Sequence, residues 1–275
     1  MSRNVRMALS YLALLVFSLF ALYPISRLVT IALRPSDQLL SPSLALFPRS
    51  ATFANFRTLI FETPFLRWLA NSTFIALVVT LTGVALASTA GYALSRLRFL
   101  GRSSALKGLL VTQMLPATML LLPLYLILIK LGLINSYLGV IIIYTATALP
   151  FCIWQLKSYY DTIPLSLEEA ARIDGCSRWQ SFYLVVLPLA AAPLALTAFF
   201  SFLTAWNEYV MAAVVLQDSR IFTLPLGLKM FESNMQTQWG LFAAGALLVS
   251  IPAVGLFLWL GRFLVSRLSL GAVEG

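Results

Sequence analysis

Six stretches of this chain run for at least 19 residues without a charged side chain: 7–25, 68–95, 108–129, 131–156, 179–207 and 233–261. A hydrocarbon layer about 30 Å thick is crossed by about 20 helical residues, so each stretch is long enough to span a bilayer. Composition agrees, with 60% of the 275 residues hydrophobic and 11% charged, where soluble domains carry about 25% charged residues. Nineteen basic and ten acidic side chains cannot coat a water-soluble body of this size. The expected fold class is all-α integral membrane, with six transmembrane helices. Arg3 and Arg6 precede the first stretch as in a signal peptide, but the segment continues past Arg27 with no Ala-x-Ala site and is read as a retained helix.

With the N-terminus in the cytoplasm, eleven of the 19 basic residues fall on the inner side, most densely in loop 96–107, and both termini are expected to be cytoplasmic. The net charge of +9 is spread over loop ends without a basic, aromatic-bearing face. It suits anionic headgroups rather than nucleic acid. The chain has no histidine, which removes Ser-His-Asp and Cys-His catalysis and the usual zinc hydrolase ligands. Cys152 and Cys176 are too few for a disulfide framework or a four-thiolate cluster. Prolines 24, 116, 123, 150, 188, 193 and 252 fall inside the apolar stretches and should bend their helices. Kinks that only aid packing and kinks in helices that move both fit at this point. Residues 34–67 form the one sizeable outer segment and are expected to be a small lid.

The longest inner loop, 158–187, is patterned as two short helices. Pro164 suits a first helical turn, and Ser166 with Glu169 three residues on fits a capping box. Gly175 should end that helix with a positive φ. Ser177 with Gln180 restarts a helix whose Trp179, Phe182, Tyr183 and Val186 share one face. Such a helix–glycine–helix unit could lie on the headgroups as an amphipathic hairpin. Glu168, Glu169 and Asp174 would be repelled by an anionic leaflet, so the acidic, small-residue surface fits a protein partner better.

Glu169-Ala170-Ala171, three residues, Gly175, nine residues, then Val185-Val186-Leu187-Pro188 resembles the E-A-A-x3-G-x9-I-x-L-P signature of permease subunits of binding-protein-dependent ABC importers, with Val185 standing for Ile. Tyr92-Ala-Leu-Ser-Arg-Leu-Arg-Phe99, Leu115-Pro116, Pro123-Leu-Tyr125, Leu149-Pro150-Phe151 and Trp206-Asn-Glu-Tyr209 extend the likeness, in order, to the carbohydrate branch and its maltose-importer-type second permease. The resemblance implies a type I importer fold with cytoplasmic coupling helices. The chain then divides into a first helix and outer loop (1–68), a five-helix permease core (69–262) and a cytoplasmic tail (263–275).

No Gly-x4-Gly-Lys-Ser/Thr occurs, so the chain has no phosphate loop of that kind. By resemblance, no cofactor belongs to this chain, and ATP with Mg is held by a cytoplasmic ATPase dimer. Glu168, Glu169, Ala170, Ala171, Asp174 and Gly175, with Leu187 and Pro188 closing the signature, would form the coupling surface. Glu169 would pair with an ATPase arginine. The tail 263–275 resembles a Gly-rich tail that reaches the ATPase, with Glu274 departing from the usual basic residue. Further partners are a second permease, non-identical or a homodimer copy, an extracytoplasmic solute-binding protein and the lipid bilayer. Asn207, Trp206 and Glu208 combine rings, an amide and a carboxylate suited to a sugar, and burying them unpaired in lipid would cost several kcal/mol. They are expected on the substrate path with Tyr125 and Gln113. The expected solute is an uncharged sugar or glycoside; glycerol phosphate or another non-sugar solute is the alternative. A secondary transporter is the competing class, but it would need midmembrane charges, and the remaining ionisable candidates, Arg27, Lys130 and Glu208, sit near stretch ends.

Overall fold

A computed structural model of the chain describes residues 3–35, 50–232 and 237–271. All of its regular elements are helices: α1 (Arg3–Ala32), α2 (Ala54–Glu62), α3 (Phe65–Arg96), α4 (Arg102–Met114), α5 (Leu121–Lys130), α6 (Tyr137–Tyr160), α7 (Leu165–Ile173), α8 (Arg178–Ser181), α9 (Leu187–Leu189), α10 (Ala191–Asn207), α11 (Val210–Val215), α12 (Leu224–Lys229) and α13 (Trp239–Gly271), with a few 3₁₀ and π turns. Much of the expected lid, residues 36–49, and the last four residues of the expected tail lie outside the described residues.

Among the described residues, four helices are long and apolar enough to cross a membrane: Asn4–Ala32, Phe65–Arg96, Tyr137–Tyr160 and Trp239–Gly261. The third and fifth expected spans are bent rather than continuous. Arg102–Met114 meets Thr118–Lys130 at 103°, and Arg178–Leu189 meets Ala191–Asn207 at 80°. The first break falls at Leu115-Pro116, both extended in ψ (129° and 133°). Leu115 precedes a proline and is steered out of the α region, which ends α4. The fourth expected span also begins later than its charge-free stretch. Gly132 and Asn135 take φ of +66° and +55°, and Ser136 caps α6 by accepting from Gly139 N. These turn residues carry no charge, so a count of charges runs straight through them.

The described chain forms two compact units. One comprises 1–66 with 227–251, the other 67–226 with 252–275. In the first, Asn55 Nδ2 donates to the Ala32 and Arg34 carbonyls, both at 2.9 Å. In the second, α3, α6 and α10 pack closely. A Cβ at Gly83 would lie 2.9 Å from Ser201 Oγ, and one at Gly91 would lie 3.1 Å from the Lys157 backbone. Small residues thus let neighbouring backbones approach, as helices must where lipid offers no hydrophobic drive. Hydroxyls inside these helices find partners within the same helix or across to a neighbour. Thr80 and Thr73 donate to carbonyls four residues back, and Thr82 meets Thr145 at 3.3 Å.

Candidate functional site

The 158–187 loop folds as helix, elbow, helix. α7 begins at Leu165 with Pro164 as its cap residue (φ −59°, ψ 131°) and no side-chain cap. Ser166 therefore lies inside the helix and cannot cap it, so the expected Ser166–Glu169 capping box is not formed. At the other end Cys176 N donates to the Ala171 carbonyl and Gly175 N to the Arg172 carbonyl, at 3.0 and 3.2 Å. With Gly175 at φ +92°, this is a Schellman ending. The second box is present: Ser177 Oγ accepts from Gln180 N, and Gln180 Oε1 accepts from Ser177 N at 2.7 Å.

Beyond α8 the backbone loosens into a π turn over Phe182–Val186, where Leu187 N reaches back five residues to the Phe182 carbonyl. This splits the expected single face. A wider turn puts residues four apart in line, so Phe182 and Val186 are buried while Trp179 and Tyr183 stay 64% and 50% exposed. Phe182 packs 4.5 Å from the Tyr92 ring, with Tyr160 edge-on to both.

The two neighbouring glutamates part company. Glu168 is 7% exposed. Its Oε1 accepts from Arg96 Nε at 2.6 Å and its Oε2 from Tyr92 Oη at 2.8 Å. Arg96 also donates to the Ile163 carbonyl at 2.8 Å and to Ser95 Oγ at 3.2 Å. Ser95 Oγ in turn donates to Asp161, which pairs with Lys157 at 2.6 Å. Partial burial opposes ionisation of Asp161, but hydrogen bonds from Lys157 and Ser95 outweigh it and hold the carboxyl below its ordinary value. Glu169, by contrast, is exposed and lines an open groove with Arg172, Ile173, Cys176, Ser177 and Arg178. Ala170, Asp174 and Gly175 are exposed beside it, Ala171 and Leu187 are half-buried and Pro188 is exposed.

Residues 83–270 match the family described as "Binding-protein-dependent transport system inner membrane component". The chain belongs to this family of permease components. Among its relatives, the maltose/maltodextrin permease MalG of Yersinia pestis is 35% identical over all of this chain and 95% of its own length. MdxG, the maltodextrin permease of Bacillus subtilis, is 34% identical over 97% and 95%. DasC, the diacetylchitobiose uptake permease of Streptomyces coelicolor, is 33% identical over 92% of each. In fold, the chain resembles one from a bacterial ABC transporter involved in import of the acidic polysaccharide alginate, with TM-score 0.82, 24% identity and coverage of 96% and 98%. The permease is thus a multi-pass membrane protein, and the matched residues include the helix–elbow–helix unit.

The expected substrate-path residues are not gathered in one place. Gln113 lines a cleft of 420 Å³ with Thr112, Leu115, Leu120, Thr147 and Pro150, between α4, α5 and α6. Tyr125 is half-buried on α5 and does not line it. Trp206 is 1% exposed and stacks on Phe202 at 5.3 Å and 16°. Asn207 is exposed, its Nδ2 donating to the Leu203 carbonyl at 3.0 Å. Glu208 Oε1 accepts from Met211 N at 2.8 Å and starts α11. The groups that hold Glu168 were not singled out as site residues from sequence. A signal existed, because Tyr92 and Arg96 stand four apart near the end of a helix, where side chains share a face.

Proposed function

We propose that this permease is one of two membrane subunits of an ATP-driven importer, and that its 158–187 elbow is the cytoplasmic coupling element. The observation that carries this reading is the exposed edge of α7. Glu169, Ala170 and Asp174 lie exposed beside a glycine elbow, while Glu168, Ser181, Phe182 and Val186 on either side of it are buried and anchor the loop to its own bundle. Glu169 lies just past the first turn of α7, and its exposed carboxylate offers both oxygens to an arginine. Alanine and glycine beside it admit close approach. The partner of this surface is an ATPase dimer, which binds ATP with Mg and carries out the hydrolysis that this chain does not. A second permease, taken as non-identical, completes the cavity, and an extracytoplasmic binding protein delivers the solute.

The solute class we assign is an uncharged di- or oligosaccharide. Support comes from the curated relatives, whose names cover maltose, maltodextrin and diacetylchitobiose. On the chain itself, the cleft with Thr112, Gln113 and Thr147 offers hydroxyls and an amide without a charge, and Asn207 is a second point of contact. Trp206 acts from behind, holding the end of α10.

The test is Glu169→Lys in the purified transporter. The variant inserts normally, but ATP hydrolysis stimulated by loaded binding protein and solute uptake both fall by about tenfold or more, since losing an interfacial charge partner costs roughly 2–5 kcal/mol. Wild-type stimulation and uptake in Glu169→Lys would overturn the coupling role.

A further inference from the structure

We propose that Arg96 and Tyr92 are positioning residues for coupling: they weld α7 to the end of α3 through Glu168, so that a displacement of the elbow is carried into a membrane helix. This rests on the coupling reading of the elbow and adds the route by which its movement leaves the loop.

Glu168 sits in the first turn of α7 with 9% of its side chain accessible, and Arg96 is equally enclosed. A carboxylate so placed has lost most of its water, and three groups replace it, namely the Arg96 guanidinium, the Tyr92 hydroxyl and the α7 dipole. Arg96 spends a second arm of its planar fork on the Ile163 carbonyl, two residues before α7. The guanidinium is therefore held at both ends by the segment that carries the elbow. α3 is braced as well. Arg102 Nε closes on the Leu94 carbonyl at 2.8 Å, and Ser95 bonds Asp161 at the end of α6. The Tyr92 ring meets Phe182 at 4.5 Å, so the second helix of the elbow touches the same post. One residue of α3 thus grips the loop before the elbow, and another grips the loop after it.

A buried ion pair is weak evidence for stability, because an apolar replacement often serves as well. Here it does something apolar packing cannot: it fixes direction and length between α3 and the segment carrying α7 with three directed hydrogen bonds, from Arg96 and Tyr92 to Glu168 and from Arg96 to the Ile163 carbonyl. The paired glutamates then have separate tasks, Glu168 facing its own α3 and Glu169 facing outward.

The experiment uses the complete transporter, purified through a tag on this chain and reconstituted in proteoliposomes, and reads ATP hydrolysed per solute imported. Arg96→Gln retains its bound ATPase but raises that ratio at least about fivefold, and Tyr92→Phe, which keeps the ring, raises it about two- to threefold. The double variant Arg96→Glu with Glu168→Arg moves the ratio back toward wild type. A purely structural role would lower assembly and Tm while leaving the ratio of the surviving transporters unchanged, and that result overturns the proposal. If Arg96→Gln does not assemble, Tyr92→Phe decides, and a wild-type ratio in it overturns the proposal equally. The docking reading fails separately, through a silent Glu169→Lys. A defective Glu169→Lys beside normally coupled Arg96 and Tyr92 variants removes the weld alone.

Discussion

Gly175 has a φ of +92° and nothing within 4 Å of where a Cβ would stand. Any cost of substitution there is conformational rather than steric crowding. A β-branched residue pays about 1–2 kcal/mol in this region, and the two Schellman hydrogen bonds would have to give way to relieve it. Gly175→Val should therefore redirect α8 and reduce uptake strongly, whereas Gly175→Asn, which tolerates this region better, retains most of it; uptake by the two variants in parallel checks this. The need for a glycine was legible in the sequence, because a helix pattern stopped there and restarted two residues later. The different fates of Glu168 and Glu169 were not. Adjacent helical positions differ by about 100° around the axis, and only the placement of Arg96 and Tyr92, some 70 residues earlier, decides which carboxylate turns inward.

At the scale of elements, the π turn at Phe182–Val186 sets how the elbow is aimed. One turn with an i→i+5 bond holds an extra residue relative to an α-helix, so residues before it are rotated by about 100° against residues after it. Leu184, 58% exposed, is the residue whose removal disturbs packing least. Deleting it should let the segment close as an α-helix and swing α8 and the elbow away from Tyr92 while α10 stays in place. The expected outcome is a membrane-inserted permease that no longer retains its ATPase on a tag pulldown, whereas Leu184→Ala, with its length unchanged, retains it. Nothing in the residue pattern warned of this turn, since an apolar run has the same composition in either helix type. The same blindness explains the bends. Stretches 108–129 and 179–207 qualified because they lack charge, yet a charge-free run records length and says nothing of direction. Pro116 marked the first break, while Pro188 and Pro193 flank the second at Ala190 without occupying it.

For the whole molecule, the bends pose a question of topology, since a helix pair bent by 80° either crosses the membrane obliquely or turns back. α10 has 17 residues and is about 25 Å long at 1.5 Å per residue, short of a core about 30 Å thick. The π turn and α9 belong to the arm set at 80° to α10 and add little along its axis, so the side on which α10 ends is decided by labelling. The chain supplies its own probe. Of its two cysteines, Cys152 is buried in α6 and Cys176 sits partly exposed on the elbow. A membrane-impermeant maleimide should label Cys176 in inside-out vesicles and not in right-side-out ones, with Cys152 silent in both, which places the elbow on the cytoplasmic side. Asn207→Cys in a Cys176→Ser background, at the far end of α10, should show the reverse pattern. Labelling of position 207 from the same side as position 176 would make the pair a re-entrant loop and put Asn207 on the elbow's side. Asn207 would then lose its place on the outer solute path, while the elbow and its docking surface would stand unchanged.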